Sequence, residues 1–256
     1  MSAPFVIWTL RRTGGTTLAT LLERLTEHPC VSHEPFNLNR TFGRVTSDWL
    51  KRRDREQLRA GVEQALAERP VIKHCFETKP PGLNAALMQV ATEKGYRHII
   101  LDRRAETDRI LSLALAELTG AWGSNTAEQI YHGIAAGERT VEPMDIEAVV
   151  AHLHKCRQSR QDIRKMLERV GQDPFVIYFE DIFSDPEAGR AKVGALVSFL
   201  GIDLSLHPDY DAQLTDALMH RGQNSARILS AVPNIVAARE ALENAGQGLV
   251  EIFTAS

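Results

Sequence analysis

Four short apolar runs, each followed by a helical pattern, predict an α/β fold in which helices cover both faces of a mostly parallel sheet. The runs are Phe5-Val6-Ile7-Trp8, Val71-Ile72 leading into Lys73-His74-Cys75-Phe76, His98-Ile99-Ile100-Leu101, and Pro174 to Phe179. Their unbroken apolar, β-branched and aromatic character suits strands buried on both faces. Leu83 to Lys94, Thr107 to Leu118 and Pro186 to Leu200 supply the crossovers, with Gly201 at the C-cap position of the last. A third observation is the opening of the chain. Strand Phe5 to Trp8 enters the Gly-containing stretch Arg11-Arg12-Thr13-Gly14-Gly15-Thr16-Thr17, and Leu18, Leu21, Leu22 and Leu25 then form one stripe of a helix that stops near His28-Pro29.

Between these units the sequence places helical insertions at about 46–69 and 119–170 of one continuous domain spanning 1–256. Asp48 to Glu68 is dense in Arg. Ile146 to Val170 carries Lys155, Arg157, Arg160, Arg164, Lys165 and Arg169, a basic surface that reads as a solvated face. Thr119 to Pro143 is rich in Gly, Ser and Thr with weak periodicity, and is expected to be a long loop or lid. At 256 residues, with 43% hydrophobic and 25% charged side chains, the chain buries a core without staples. Thirty Lys and Arg against 33 Asp and Glu leave a net charge of -3, which excludes a surface that coats nucleic acid or anionic lipid as a whole. Any anion site is therefore local. Three scattered cysteines give no disulfide framework or paired metal ligands. No apolar run reaches membrane-span length and no secretory pattern opens the chain, so a cytoplasmic protein is expected.

The loop after the first strand has the parts of an anion site. The first amides of a helix lack intrahelical partners and the helix dipole favours negative charge there. Gly14 and Gly15 permit close approach, Arg11 and Arg12 add cations, and the hydroxyls of Thr13, Thr16 and Thr17 add donors. No Gly is followed by Lys, so the Walker pattern GxxxxGK[ST] is absent, as is GxGxxG. Arg12-Thr13-Gly14-Gly15-Thr16 at the end of a first strand resembles the 5′-phosphosulfate loop of sulfotransferases. Arg103-Arg104 at a strand end, with Ser112 eight residues after Arg104, resembles the 3′-phosphate site of that family. Phe175 to Pro186 and the helix ending Phe199-Leu200-Gly201 resemble its late strand and helix, with Asp185 capping and Pro186 at N1.

The resemblance spans about Phe5 to Gly201 and implies a P-loop-like three-layer sandwich. It also implies an enzyme that moves a sulfuryl group from 3′-phosphoadenosine 5′-phosphosulfate to a hydroxyl or amine acceptor without a metal. Arg12 would stabilise the leaving phosphosulfate, and Arg104 and Ser112 would hold the 3′-phosphate. A small molecule or carbohydrate is the expected acceptor; nucleic acid and membrane are not expected partners. Two residues compete as base. Glu34, in Ser32-His33-Glu34-Pro35-Phe36 after a short second strand, resembles the carboxylate base of carbohydrate sulfotransferases. His74, beside Lys73 at a strand end, resembles the histidine base of the cytosolic enzymes. His33 and Lys73 are candidates to help bind anion or acceptor. Two departures stand out: the doubled Gly14-Gly15, and the loose C-terminal match His220-Arg221-Gly222-Gln223-Asn224, which leaves Arg221 and Gln223 as candidate nucleotide contacts. A degenerate P-loop kinase using ATP and Mg²⁺, and a non-catalytic nucleotide-binding protein, are the rival readings. His152 and Cys156 share a helix face but lack further metal ligands.

Overall fold

The computed structural model describes residues 2–219, 228–248 and 250–256. Its sheet has four strands, β1 (Phe5–Thr9), β2 (Ile72–Cys75), β3 (Arg97–Asp102) and β4 (Phe175–Tyr178), all parallel and ordered β2-β1-β3-β4. β1 is therefore central. Thr9 pairs with Cys75 on one side and with Leu101 on the other, so the three strands end together. The α/β class and the parallel sheet are as the apolar runs predict, and the loop leaving β1 feeds α1 (Gly15–Glu23) directly.

Alternation along the strands assigns the two faces. Phe5, Ile7, Ile99, Leu101, Phe175 and Ile177 pack with Leu18, Leu21 and Leu22 of α1 and with Val193, Leu196 and Leu200 of a later helix, Pro186–Leu200. On the opposite face Trp8 and His98 meet the helix Pro81–Glu93: Trp8 donates from Nε1 to His98 Nδ1 at 3.0 Å, and His98 Nε2 lies 2.9 Å from Thr92 Oγ1. Because Nδ1 accepts from the indole, the proton of a neutral His98 sits on Nε2. The described α-helices are α1, α2 (Gly43–Arg52), α3 (Arg55–Ala65), α4 (Pro81–Glu93), α5 (Glu106–Thr119), α6 (Ser124–Ala135), α7 (Ile146–Arg169), α8 (Phe179–Phe183), α9 (Pro186–Leu200), α10 (Tyr210–Met219) and α11 (Ile235–Gly246).

The chain divides into two compact units: Met1–Asp102 with Ser159–Met219 and Ile252–Ser256, and Arg103–Gln158 with His220–Glu251. The first contains the sheet. The second is helical and has its own core, built from Ile110, Leu111 and Leu115 of α5, Tyr131 and Ile134 of α6, Val149 and Leu153 of α7, and Leu242 of α11.

Several expectations are corrected. Thr119 to Pro143 is not one long loop, because α6 occupies its centre, with Ala127, Tyr131 and Ile134 buried at helical spacing. The strand expected before Ser32 is a single parallel bridge between Cys30 and Val71. The Arg-rich insertion is two helices, separated where Arg53 takes a left-handed φ of 55° and Asp54 caps α3 through the amides of Glu56 and Gln57. Arg160 is no part of a solvated face. It is buried and holds the carboxylate of Asp102, at the end of β3, through Nε and Nη2 at 2.7 and 2.8 Å.

Two histidines bury neutral rings in this fold. Burial pushes His98 down to about 4, and burial also lowers His74 to about 4 despite its bond to Asn84. The unfolded chain would take up protons at both sites near 6.5. Native stability should thus be fully present above pH 6.5 and fall as pH drops toward 4, by on the order of 3 kcal/mol for each ring. Urea denaturation between pH 4 and 8 measures it. In His98→Gln the slope over that window should be shallower than in wild type.

Candidate anion site

β1 ends at Thr9, and the chain turns over the edge of the sheet before α1 begins. Thr13 is buried; its hydroxyl donates to Leu10 O at 2.7 Å and is hydrogen-bonded with Thr9 Oγ1. Arg12 adopts a left-handed φ of 67° and Gly14, the N-cap of α1, one of 76°. Arg12 is thus an uncommon non-glycine residue in that region. Gly14 also has no room for a side chain: a Cβ there would lie 2.7 Å from Phe183 and 3.0 Å from Phe179. Leu18 N–H returns to Gly14 O at 3.2 Å, and among the described residues no side chain caps the helix. The first-turn amides of α1 therefore have no side-chain acceptor among the described residues, as an anion site requires. Thr16 is exposed and Thr17 half-buried at this turn.

Lys73, on β2, reaches this helix start from beneath. Its Cε would lie 3.0 Å from a Cβ at residue 15, so Gly15 is what lets the lysine pass. The ammonium donates to Glu34 Oε1 at 2.8 Å and lies 3.5 Å from Thr16 Oγ1. Only 7% of the Lys73 side chain is exposed, against 21% for Glu34. Burial works against the charge of Lys73, but the neighbouring Cys75, Glu34 and Glu77 outweigh it and set its pKa above the ordinary lysine value. Burial likewise works to raise Glu34, yet the charge and hydrogen bond of Lys73, with hydrogen bonds from Asn37 and Cys75, hold its carboxyl at about 2.

A chain of contacts continues from this pair. Asn37 Nδ2 donates to Glu34 Oε2 at 3.0 Å, and Asn37 Oδ1 accepts from Lys79, whose Nζ also meets Thr78 Oγ1 at 2.8 Å. Burial lowers the pKa of Lys79. Glu34 itself has a left-handed φ of 55°. The loop that carries it is tied to α2 through Phe42 N–H on Pro35 O at 2.7 Å and Thr46 Oγ1 on Phe36 O at 2.6 Å. His33 stands beside the pair, a third of its side chain exposed, with Nδ1 3.7 Å from Glu23 Oε1; burial and then Lys73 lower its pKa.

The structure thus gathers Gly14, Gly15, Thr16, Glu34 and Lys73. It places Thr13 with its hydroxyl turned inward, and Arg11 with Nε 3.1 Å from Glu77 Oε1. His74 is fully buried, its ring edge-on to Trp8 at 5.2 Å and to Phe36 at 5.9 Å, with Nε2 2.8 Å from Asn84 Oδ1. No atom of it meets solvent. Arg104 and Ser112 belong to the helical unit: Arg104 Nε binds Glu251 Oε1 at 3.0 Å, and Ser112 is buried in α5. Arg221 and Gln223 lie outside the described residues. Sequence reasoning missed Asn37, Glu77 and Lys79; a polar residue three positions after Glu34 is the one local signal for Asn37. Among the described residues no three His, Cys, Asp or Glu gather as a metal site, and no helix is long and apolar enough to cross a membrane.

No protein-family model matches the chain, and no curated protein matches it. Among solved structures it is similar to a sulfotransferase from Alicyclobacillus acidocaldarius, at 16% identity and a TM-score of 0.44, over 95% of this chain and 96% of that one.

Two outcomes test the geometry. Replacing Gly14 by Ala should cost about 1–3 kcal/mol in urea denaturation, since it adds a left-handed Ala and a clash with Phe183. In Lys73→Met, the Glu34 carboxyl should titrate well above its wild-type value of about 2, read by carbon NMR; an unmoved titration would remove Lys73 as the cause.

Proposed function

We propose that this protein is a sulfotransferase that takes its sulfuryl group from 3′-phosphoadenosine 5′-phosphosulfate. The observation that carries the reading is the buried Lys73 ammonium set against the start of α1, where Gly15 leaves room for the lysine. A cation with little solvent, beside aligned helix amides, is a strong point of attraction for a phosphosulfate. The donor supplies an activated sulfuryl group, so the protein's part is to position the two reactants and neutralise charge on the leaving oxygen. Arg12 and Lys73 are assigned that neutralisation. Arg104 and Ser112 are assigned the 3′-phosphate, an assignment that rests on the sequence resemblance alone.

Glu34 is our choice of base over His74, because part of its side chain reaches solvent and the imidazole does not. A carboxyl held at about 2 is a weak base, and the reason is Lys73. That same ammonium also reaches Thr16. An anion at the first turn of α1 therefore competes with Glu34 for Lys73, loosening the hold on the carboxylate and raising its basicity. Asn37 keeps the carboxylate oriented throughout. The acceptor is a hydroxyl or amine of a small molecule or carbohydrate.

Calorimetric titration with 3′-phosphoadenosine 5′-phosphate, and separately with ATP and Mg²⁺, tests the reading. The bisphosphate should bind and ATP should not compete. Lys73→Ala and Arg104→Ala should each weaken the bisphosphate at least about tenfold, the loss expected for one charge-assisted contact. Glu34→Gln should bind the bisphosphate at least as tightly as wild type, since the base does not hold the donor and its charge no longer competes for Lys73. Preference for ATP with Mg²⁺ would replace this reading with a kinase-like one.

A further inference from the structure

We propose that Glu77 is a positioning residue of the anion loop, fixing Arg11 and thereby the turn that presents the amides at the start of α1. This deepens the donor-binding reading and rests on it for its ligand. Glu77 lies in the single turn Phe76–Thr78 that follows β2, and its side chain is wholly buried. Its Oε1 accepts two hydrogen bonds from one residue, the backbone N–H of Arg11 at 2.9 Å and the guanidinium Nε–H at 3.1 Å. Its Oε2 is closed off from solvent and accepts no hydrogen bond among the described residues. A buried carboxylate is costly unless paired and hydrogen-bonded, and here both hydrogen bonds come from Arg11.

The register explains why this residue meets that one. Thr9 pairs with Cys75 at the ends of β1 and β2, so two residues further on Arg11 stands beside Glu77. The backbone ladder has ended there, and the carboxylate takes the place of the next strand carbonyl in accepting the Arg11 amide. Thr13 is pinned on the other side of the turn by Leu10 O and Thr9. Arg12 lies between the two fixed points and is the residue that takes the left-handed φ of 67°. Uncommon backbone conformations of this kind persist only where the surroundings over-determine them. Glu77 supplies one of those constraints, and the directions of the Gly14 and Gly15 amides depend on it. Arg11, which the sequence offers as an anion ligand, is in this account the loop's anchor.

The experiment is amide hydrogen exchange on the full chain without ligand, in wild type, Glu77→Ala and Glu77→Gln, paired with titration of 3′-phosphoadenosine 5′-phosphate. Exchange in the segment 11–15 should speed at least about tenfold in the Ala variant and stay within about threefold in Gln, whose amide oxygen still accepts from Arg11. The bisphosphate should weaken at least about tenfold in Ala and recover in Gln. Unchanged exchange in Ala would overturn the proposal. So would acceleration spread equally over β1, β2 and β3, which is the signature of general loosening, or a Gln variant as impaired as Ala. Wild-type protein that ignores the bisphosphate would sink the donor reading alone, and the exchange data on the empty loop would still decide the role of Glu77.

Discussion

The Lys73 to Glu34 ion pair is the contact on which the arrangement of the site depends. It joins three segments far apart in sequence: β2, the loop from His33 to Asn37, and the first turn of α1. Its value is not net stability. Taking two charges out of water costs several kcal/mol per ion, and a pair of apolar residues in their place would often be no less stable. What the pair provides is position. Either charge left alone in that setting would be far more costly than the two together, so the loop bearing Glu34 cannot drift from β2 without a large penalty. The left-handed backbone at Glu34 is held by the same contact, with Asn37 and Lys79 closing the other side.

Most of the fold was legible because its strands are buried on both faces. Such strands appear as unbroken apolar runs, and all four were visible, as were α4, α5, α7 and α9 between or after them. What escaped had competing local signals. The stripe Ala127, Tyr131 and Ile134 sits among Gly, Ser and Thr residues that read as loop, and its helical meaning comes from packing on α5 and α7 within one core. The single bridge at Cys30 is too short to leave a periodicity. The seating of the chain's end was also invisible: Ser256 exchanges hydrogen bonds with Val176, and Phe253 O accepts from Tyr178 Oη at 2.6 Å. Nothing near residue 253 in sequence announces a partner 75 positions earlier.

The site was legible to a different depth. Gly14 and Gly15 announce themselves, because close approach and a left-handed φ leave glycine as the suitable residue. Glu34 and Lys73 could be picked out singly, but their pairing spans 39 positions and follows from the order of strands, which composition does not encode. The same holds for Asp102 with Arg160 and for Arg11 with Glu77. In each case a surface-looking arginine turned out to be consumed by a buried carboxylate. A lone Arg in a sequence carries no mark of whether its partner is water, an acid or a ligand.

Those carboxylates also bear on which anion the loop suits. Three cations, Arg11, Lys73 and Lys79, are set among the carboxylates Glu34, Glu77 and Glu23 on a chain whose net charge is -3. Nucleotide chemistry that runs through Mg²⁺ needs an acid near the phosphates to hold the ion. The acids at the ends of β2 and β3, and on the adjoining loop, are already engaged: Glu77 by Arg11, Asp102 by Arg160, Glu34 by Lys73. Recruiting any of them to a metal would take a carboxylate away from a cation it now holds. The arrangement therefore favours an anion neutralised by the protein's own cations, and that is the chemical demand a phosphosulfate makes.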